Sequence, residues 1–280
     1  MLVITVSLVT AVLFGSGDFL GGLAAKRVSV TQVVLGSHVV GLIGIAGAAL
    51  VVAEQFRLAD LVLGAAGGFF GGVGVALLYR RLAVGPMHVV APLTAITSAV
   101  VPTAWGVGIG DELTAVAWAG IGLGLVAIGL VSGSKPSGET TRVDRIVVSE
   151  SLLAGCGFGA FFIFLDTTDA SSAPWPIVGA RLCTTFGLLI VLTLLRRPVV
   201  ASGAVAWALI AGAGAFDVAA NAGFLYATTR GALAVVSVLT SLYPVATVVL
   251  ARIVLGERMT RYQGAGFVGA LGATVLIGAG

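Results

Sequence analysis

The sequence predicts an all-α integral membrane protein whose ten transmembrane helices form two inverted five-helix repeats. Three observations predict it. Apolar residues make up 58% of the chain and charged residues only 10%, whereas a soluble domain carries about 25% charged residues to cover its wetted surface. The apolar stretches recur along the whole length as runs close to the ~20 residues a helix needs to cross a bilayer. The two halves of the chain also resemble each other residue by residue.

Taken in order, the expected spans are 3–25, 30–52, 61–79, 86–109, 114–133, 148–165, 175–195, 204–226, 232–254 and 261–279. The first lacks the basic start and small-residue cleavage site of a secretory signal peptide, so it is expected to remain as a helix. Lys26–Arg27 separates it from the second, and Glu54, Arg57 and Asp60 separate the second from the third. Arg80–Arg81 closes the third; the fourth contains Pro92 and Pro102, and Asp111–Glu112 precedes the fifth. The one long hydrophilic stretch runs from Ser134 to Glu150, with Lys135, Glu139, Arg142, Asp144 and Arg145. Residues 1–133 thus form the first five-helix repeat, 134–147 a cytoplasmic linker and 148–280 the second repeat. Asp166 and Asp169, Arg196–Arg197, Arg230, and Arg258 with Arg261 mark the breaks in the second half.

Basic residues concentrate in alternate loops, at 26–27, 80–81, 135–145, 196–197 and 258–261, while the opposite loops hold only Arg57 and Arg230 among several acids. The positive-inside rule therefore places the first set in the cytoplasm and both termini outside. The formal charge of +3 is small and scattered, which gives nucleic-acid binding no support. Cys156 and Cys183 both fall in apolar spans and are read as small packing residues, with no disulfide framework or metal-ligand spacing.

The internal repeat is visible without gaps. GGFFGGVGVALLY at 67–79 lies over GAFDVAANAGFLY at 214–226, and 85–114 lies over 231–260. In the second helix of each half, VLGSH ending at His38 lies over IVGAR ending at Arg181. Five is an odd number of crossings, so the second copy enters the membrane upside down, and the loop charges invert with it. Inverted repeats mark secondary transporters, which hold their substrate near the midplane between the repeats.

Ionisable groups inside a span are costly and usually face the bundle interior. The candidates are Asp18, His38, Arg181 and Asp217, with Asn221 one turn after Asp217 on the same helix face. Asp217 is the leading substrate or proton site, because a desolvated mid-span carboxylate is poised to exchange a proton. Arg181 either holds a substrate carboxylate through its planar fork or neutralises Asp217. Tyr243 beside Pro244, with Thr240 and Ser241 nearby, is expected at a cavity where proline frees backbone groups. Tyr79 and Tyr226 end their spans and are expected as interfacial anchors. Gly68-xxx-Gly72 and Gly120-xxx-Gly124 fit close helix packing. No cofactor and no metal are expected.

The chain resembles the drug/metabolite transporter superfamily, specifically its ten-helix EamA type, over its whole length. The best-matching segment is SLYPVATVVLARIVLGERMTRYQGAGFVGALGATVLIG, Ser241 to Gly278, with Pro244 in the ninth helix and Gly256–Glu257–Arg258 before the tenth. The first half departs from this pattern, with Asp111–Glu112 in place of Gly-Glu-Arg. Members of the superfamily are commonly drawn with cytoplasmic termini, whereas the charges here say outside. The resemblance implies a secondary transporter, an exporter of small polar metabolites such as amino acids, in the plasma (inner) membrane as a monomer or homodimer. The alternatives are a polytopic membrane enzyme acting on a lipid-borne substrate, for which no catalytic constellation is present, and organic-cation or drug efflux. The expectation is therefore not an enzyme, with a small molecule and the bilayer as its partners.

Overall fold

The computed structural model describes residues 1–84, 87–133, 144–256 and 258–280, with side chains except at 79 and 82–88. The helices are α1 (Leu2–Ala25), α2 (Val30–Val52), α3 (Leu58–Val84), α4 (Met87–Ile109), α5 (Ala115–Ser132), α6 (Arg145–Asp166), α7 (Trp175–Leu194), α8 (Ala204–Thr228), α9 (Leu233–Thr240), α10 (Tyr243–Leu255) and α11 (Arg261–Ala279). Helices α9 and α10 share one span, Leu233–Leu255, so ten segments are long and apolar enough to cross a membrane. The described residues contain no strand.

Side chains at the helix starts explain several boundaries. Ser29 with Gln32 and Thr260 with Gln263 form capping boxes at α2 and α11, each satisfying two backbone N–H groups that the first turn leaves free. Thr114 caps α5 through the Ala117 N–H at 3.1 Å. Thr114 and Thr260 are counterparts in the sequence repeat and do the same work.

Three boundaries differ from the apolar reading. Helix α3 runs on to Val84, past Arg80 and Arg81, because arginine is a good helix former whose long stem lets the charge reach the interface. Helix α6 begins at Arg145, so the last three residues of the expected linker are helical. The rest of that linker to residue 143, with Lys135, Glu139 and Arg142, lies outside the described residues, as do the Tyr79 side chain and Glu257.

The ninth span is broken at Ser241–Leu242. Pro244 has no N–H to give the carbonyl of Thr240 four residues back, and it sits in the first turn of α10, where that loss is tolerated. Pro92 and Pro102 lie inside α4, which runs through both. Gly256 ends α10 in the left-handed conformation at φ 68°, which accounts for the glycine of the Gly-Glu-Arg segment.

In a bilayer, helix association relies on close packing and interhelical hydrogen bonds rather than on burial from water. The expected glycine surfaces meet this need. A Cβ on Gly68 would lie 2.6 Å from the carbonyl oxygen of Ala180 in α7, and one on Gly120 would lie 2.7 Å from Ile277 in α11. Helix α1 packs on α8 and α3 on α6; α2 packs on α8 and α3 on α7; α4 packs on α6 and α1 on α9 and α10. Each of these pairs becomes its companion when every span is replaced by the one five positions along. The pairs α2–α7, α4–α9 and α5–α11 map onto themselves.

The two larger of three apolar clusters are formed mainly by α4, α5, α9 and α11 and mainly by α2, α6, α7 and α8; the third, smaller one holds Ala24, Val33, Ala201 and Ile210. Helix α9 joins the two larger ones, with Ala234, Val238 and Leu239 in the first and Leu233 and Val236 in the second. Helix α10, the other half of the same span, has no buried residue.

Candidate functional site

Asp217 lies near the middle of α8, and its carboxylate is ion-paired with the guanidinium of Arg181 on α7. Asn221, one turn on, donates through Nδ2 to the backbone oxygen of Asp217 at 2.8 Å and reaches its Oδ1 at 3.4 Å. The second terminal nitrogen of Arg181 lies 3.2 Å from Nε2 of His38 on α2. The counterpart residues His38 and Arg181 are therefore in direct contact, joining helices from both halves of the chain.

This contact determines the imidazole tautomer. A guanidinium has only donors, so Nε2 of His38 accepts and the ring proton is on Nδ1. That nitrogen donates to Oγ1 of Thr184, 2.9 Å away, and Thr184 in turn donates to the carbonyl of Ala180 at 3.0 Å. His38 is thus neutral in a chain in which Arg181 donates both to Asp217 and to His38, and His38 donates on to Thr184. Thr184 was not among the sequence candidates; its position three residues after Arg181 was the available signal.

Arg181 is 6% exposed and the Asp217 side chain 33%, so Asp217 is the more accessible partner of the pair. The guanidinium fork that the sequence offered to a substrate carboxylate is occupied by Asp217 and His38. Its Nε is buried beside Gly41 of α2.

Helix α1 brings Asp18 to the same centre. It runs antiparallel to α8, with Thr10 against Gly223 and Gly17 against Phe216 and Asp217. The exposed residues Leu2, Thr5, Val9 and Val12 share the outer face of α1, and at 100° per residue Asp18 points almost directly away from that face. Phe14, one turn earlier on the Asp18 side, meets Phe162 of α6 at 6.2 Å and Tyr243 of α10 at 6.4 Å between ring centroids. Asp18 is itself exposed, so its accessible surface belongs to the bundle interior.

Tyr243 stands at the break of the ninth span. Gly15 of α1 permits the close approach there: a Cβ at residue 15 would lie 2.5 Å from the Tyr243 carbonyl oxygen, and Thr247 donates to the Gly15 carbonyl at 3.1 Å. Thr240 and Ser241 are each 1% exposed, with hydroxyls that have no hydrogen-bond partner among the described residues. Toward the ends of α1 and α8 farther from Asp18, Ser7, Thr10, Phe224 and Leu225 are all buried. Helix α9 is buried along nearly its whole length, whereas α10, which continues the span past the break, has no buried residue.

Other residues hold the periphery. Tyr226 is exposed, with the Arg230 guanidinium 3.7 Å above its ring, in keeping with a place at the membrane interface. Cys156, expected to pack, is exposed on α6, while Cys183 is half-buried; both are free thiols. Apolar character alone does not say which face of a span meets lipid. Asp111 accepts from the Ala234 N–H at 2.9 Å and so caps α9; this is the residue at which the first half departs from the Gly-Glu-Arg pattern.

At one end of the bundle Arg57 pairs with Asp169 and lies 3.8 Å from Asp60, which supplies acids around one of the two basic residues on the acidic face. Hydrogen bonds from the backbone and hydroxyl of Ser171, aided by Arg57, hold the Asp169 carboxyl below its ordinary value. At the other end Arg81 meets Glu150 at 2.5 Å and Arg80 meets it at 3.6 Å. The hydrogen bond to Glu150 raises the Arg81 pKa further. Both clasps link the halves, the first from the 53–60 segment to the 167–172 turn and the second from α3 to α6.

Residues 146–279 match the EamA-like transporter family. No curated protein matches the chain. A solved structure described only as "Crystal structure of protein" has a TM-score of 0.78, covering 97% of this chain and 96% of its own, at 17% identity; that likeness shows a shared fold and nothing about substrate. The likeness to the EamA-like transporter family thus covers residues 146–279, in a bundle whose described residues include ten helices long and apolar enough to cross a membrane.

Proposed function

We propose that this transporter is a secondary exporter of small polar metabolites, amino acids among them, working by alternating access between two inverted five-helix units in the plasma membrane. The observation that carries the reading is the Asp217–Arg181–His38 chain, built from α8, α7 and α2 in the middle of an apolar bundle. Burying an ion pair costs desolvation that packing hydrophobic residues would avoid, so charges kept at mid-span favour a transport role over a purely structural one. The exchange symmetry of the helix pairs and the unequal packing of α9 and α10 support two bundles that rock about this centre.

In this reading the positive-inside charge pattern makes the α10 side cytoplasmic, and the site faces the cytoplasm. Asp18, His38, Arg181, Asp217, Asn221 and Tyr243 line the route. Opening of the α9 side requires the Arg57–Asp169 clasp to part, and closure of the α10 side brings α10 against α1. The test is flux of a metabolite panel in proteoliposomes with Asp217→Asn as the comparison. Loss of flux in a folded mutant supports the site; a folded mutant with unchanged flux overturns it.

A further inference from the structure

The helix pairs α3–α6 and α1–α8 exchange places in the repeat, yet their corresponding ends are closed differently. Where α3 begins beside the end of α6, Arg57 pairs with Asp169. In the register that sets Gly67 over Gly214, Arg57 falls over Ala204; in the register that sets His38 over Arg181, Asp169 falls over Lys26. The start of α8 beside the end of α1 therefore has an alanine in place of the arginine and a lysine in place of the aspartate. The ion pair of one copy has no equivalent in the other.

At that position a cavity of about 400 Å³ is lined by Leu23, Lys26 and Arg27 from the end of α1 and the turn after it, and by Val205 and Leu209 from the start of α8. Lys26 and Arg27 are exposed, and neither makes an ion pair or a side-chain hydrogen bond among the described residues. Helix α8 starts at Gly203 without a side-chain cap, so its first N–H groups add donors beside the two cations. Leu23, Val205 and Leu209 give the cavity an apolar wall, and Leu209 packs on the small cluster of Ala24, Val33, Ala201 and Ile210. Trp207, in the same turn of α8 as Val205, donates through its indole to the Ala201 carbonyl at 2.9 Å, as suits a tryptophan at the level of lipid headgroups. The other basic pairs, Arg80–Arg81 and Arg196–Arg197, end α3 and α7 at this same end of the bundle.

We propose that this cavity binds the headgroup of an anionic phospholipid, its phosphodiester on Lys26 and Arg27 and its acyl chains along Leu23, Val205 and Leu209. The lipid holds α1 to α8 from outside, as Arg57–Asp169 holds α3 to α6 within the chain. Charge complementarity selects an anion, because both polar side chains are cations with no countercharge among the described residues. The apolar wall selects a lipid over a soluble phosphate, which would gain nothing from it. A cavity near the lower end of the ~300–1,000 Å³ range of small-molecule sites admits a headgroup and leaves the chains on the lipid-facing side. The inference does not rest on the transport site proposed above and concerns the bilayer instead of the substrate.

The experiment is titration of the full chain in detergent, read by thermal unfolding, with three probes: phosphatidylglycerol, phosphatidylcholine with the same acyl chains, and glycerol phosphate. Phosphatidylglycerol is expected to bind about tenfold or more tightly than phosphatidylcholine, because two basic side chains each favour the anionic headgroup. Glycerol phosphate is expected to give no shift. Lys26→Gln with Arg27→Gln should abolish the preference without loss of fold, since both side chains are exposed. Arg196→Gln with Arg197→Gln removes the same charge from the same end outside the cavity and should keep it. Lys26→Asp with Ala204→Arg transplants the clasp of the other copy, and this protein should melt at the same temperature in either lipid. Equal binding of the two lipids, a shift with glycerol phosphate as large as the lipid's, or a preference that survives loss of Lys26 and Arg27 would each overturn the assignment. So would a preference lost equally with Arg196 and Arg197, or a transplant that still needs phosphatidylglycerol.

Discussion

Arg181 has donors only, and this sets the chemistry of its neighbours. His38 must accept at Nε2, so the ring is expected as the neutral Nδ1–H tautomer, which ¹⁵N chemical shifts of labelled protein would report. An Nε2–H ring, or an imidazolium at neutral pH, would contradict the hydrogen-bond chain. Asp217→Asn leaves the guanidinium without a countercharge. Breaking a buried pair costs about 3–5 kcal/mol, and the one-third exposure of the Asp217 side chain admits water that holds the loss to the lower end. Arg181→Leu in the same protein is expected to restore most of the melting temperature while flux stays absent. A double mutant as unstable as the worse single one would show that the two side chains do not act as a pair.

The helices respond to single backbone features. Pro244→Ala returns an N–H to the position where the ninth span breaks, so the helix is expected to run through residues 241–242. The mutant should be at least as stable as the parent and slower in flux, because the join between packed α9 and loosely packed α10 stiffens; unchanged flux would remove the break from the mechanism. Gly15→Val forces a side chain into the 2.5 Å approach to the Tyr243 carbonyl and should destabilise by about 1–3 kcal/mol, measured by thermal unfolding. Thr260→Ala removes the cap of α11 at a cost of about 1 kcal/mol.

At the scale of the whole molecule, the loop charges predict an orientation and the Arg57–Asp169 clasp a pH response. Labelling of Ser137→Cys only from the cytoplasmic side would support the orientation with both termini outside, and labelling by an impermeant reagent on intact cells would reverse it. Asp169 titrates below its ordinary value of 3.8 in the folded protein. Its contribution is therefore present above that ordinary value and is lost as pH falls through the lower folded one. In Asp169→Asn the acid limb of the unfolding curve should flatten; an unchanged limb would show that the clasp is not coupled to the fold.

The sequence by itself determined the ten spans, the repeated strings in the two halves and four ionisable residues inside the spans, Asp18, His38, Arg181 and Asp217. Each of these is a local property: a run of apolar length, a repeated string, or an ionisable residue where lipid forbids one. The repeat also set His38 over Arg181, although a string match has no distances and could not show that the two side chains touch. Tertiary structure decided the rest, because contact depends on which helices become neighbours. It gave Arg181 to Asp217 and His38, recruited Thr184, turned Asp18 away from the outer face of α1, made Asp111 the cap of a helix 122 residues later in the chain, and buried α9 while leaving α10 loosely packed. Composition treats the two halves of the ninth span alike; only the bundle gives one of them neighbours on every side.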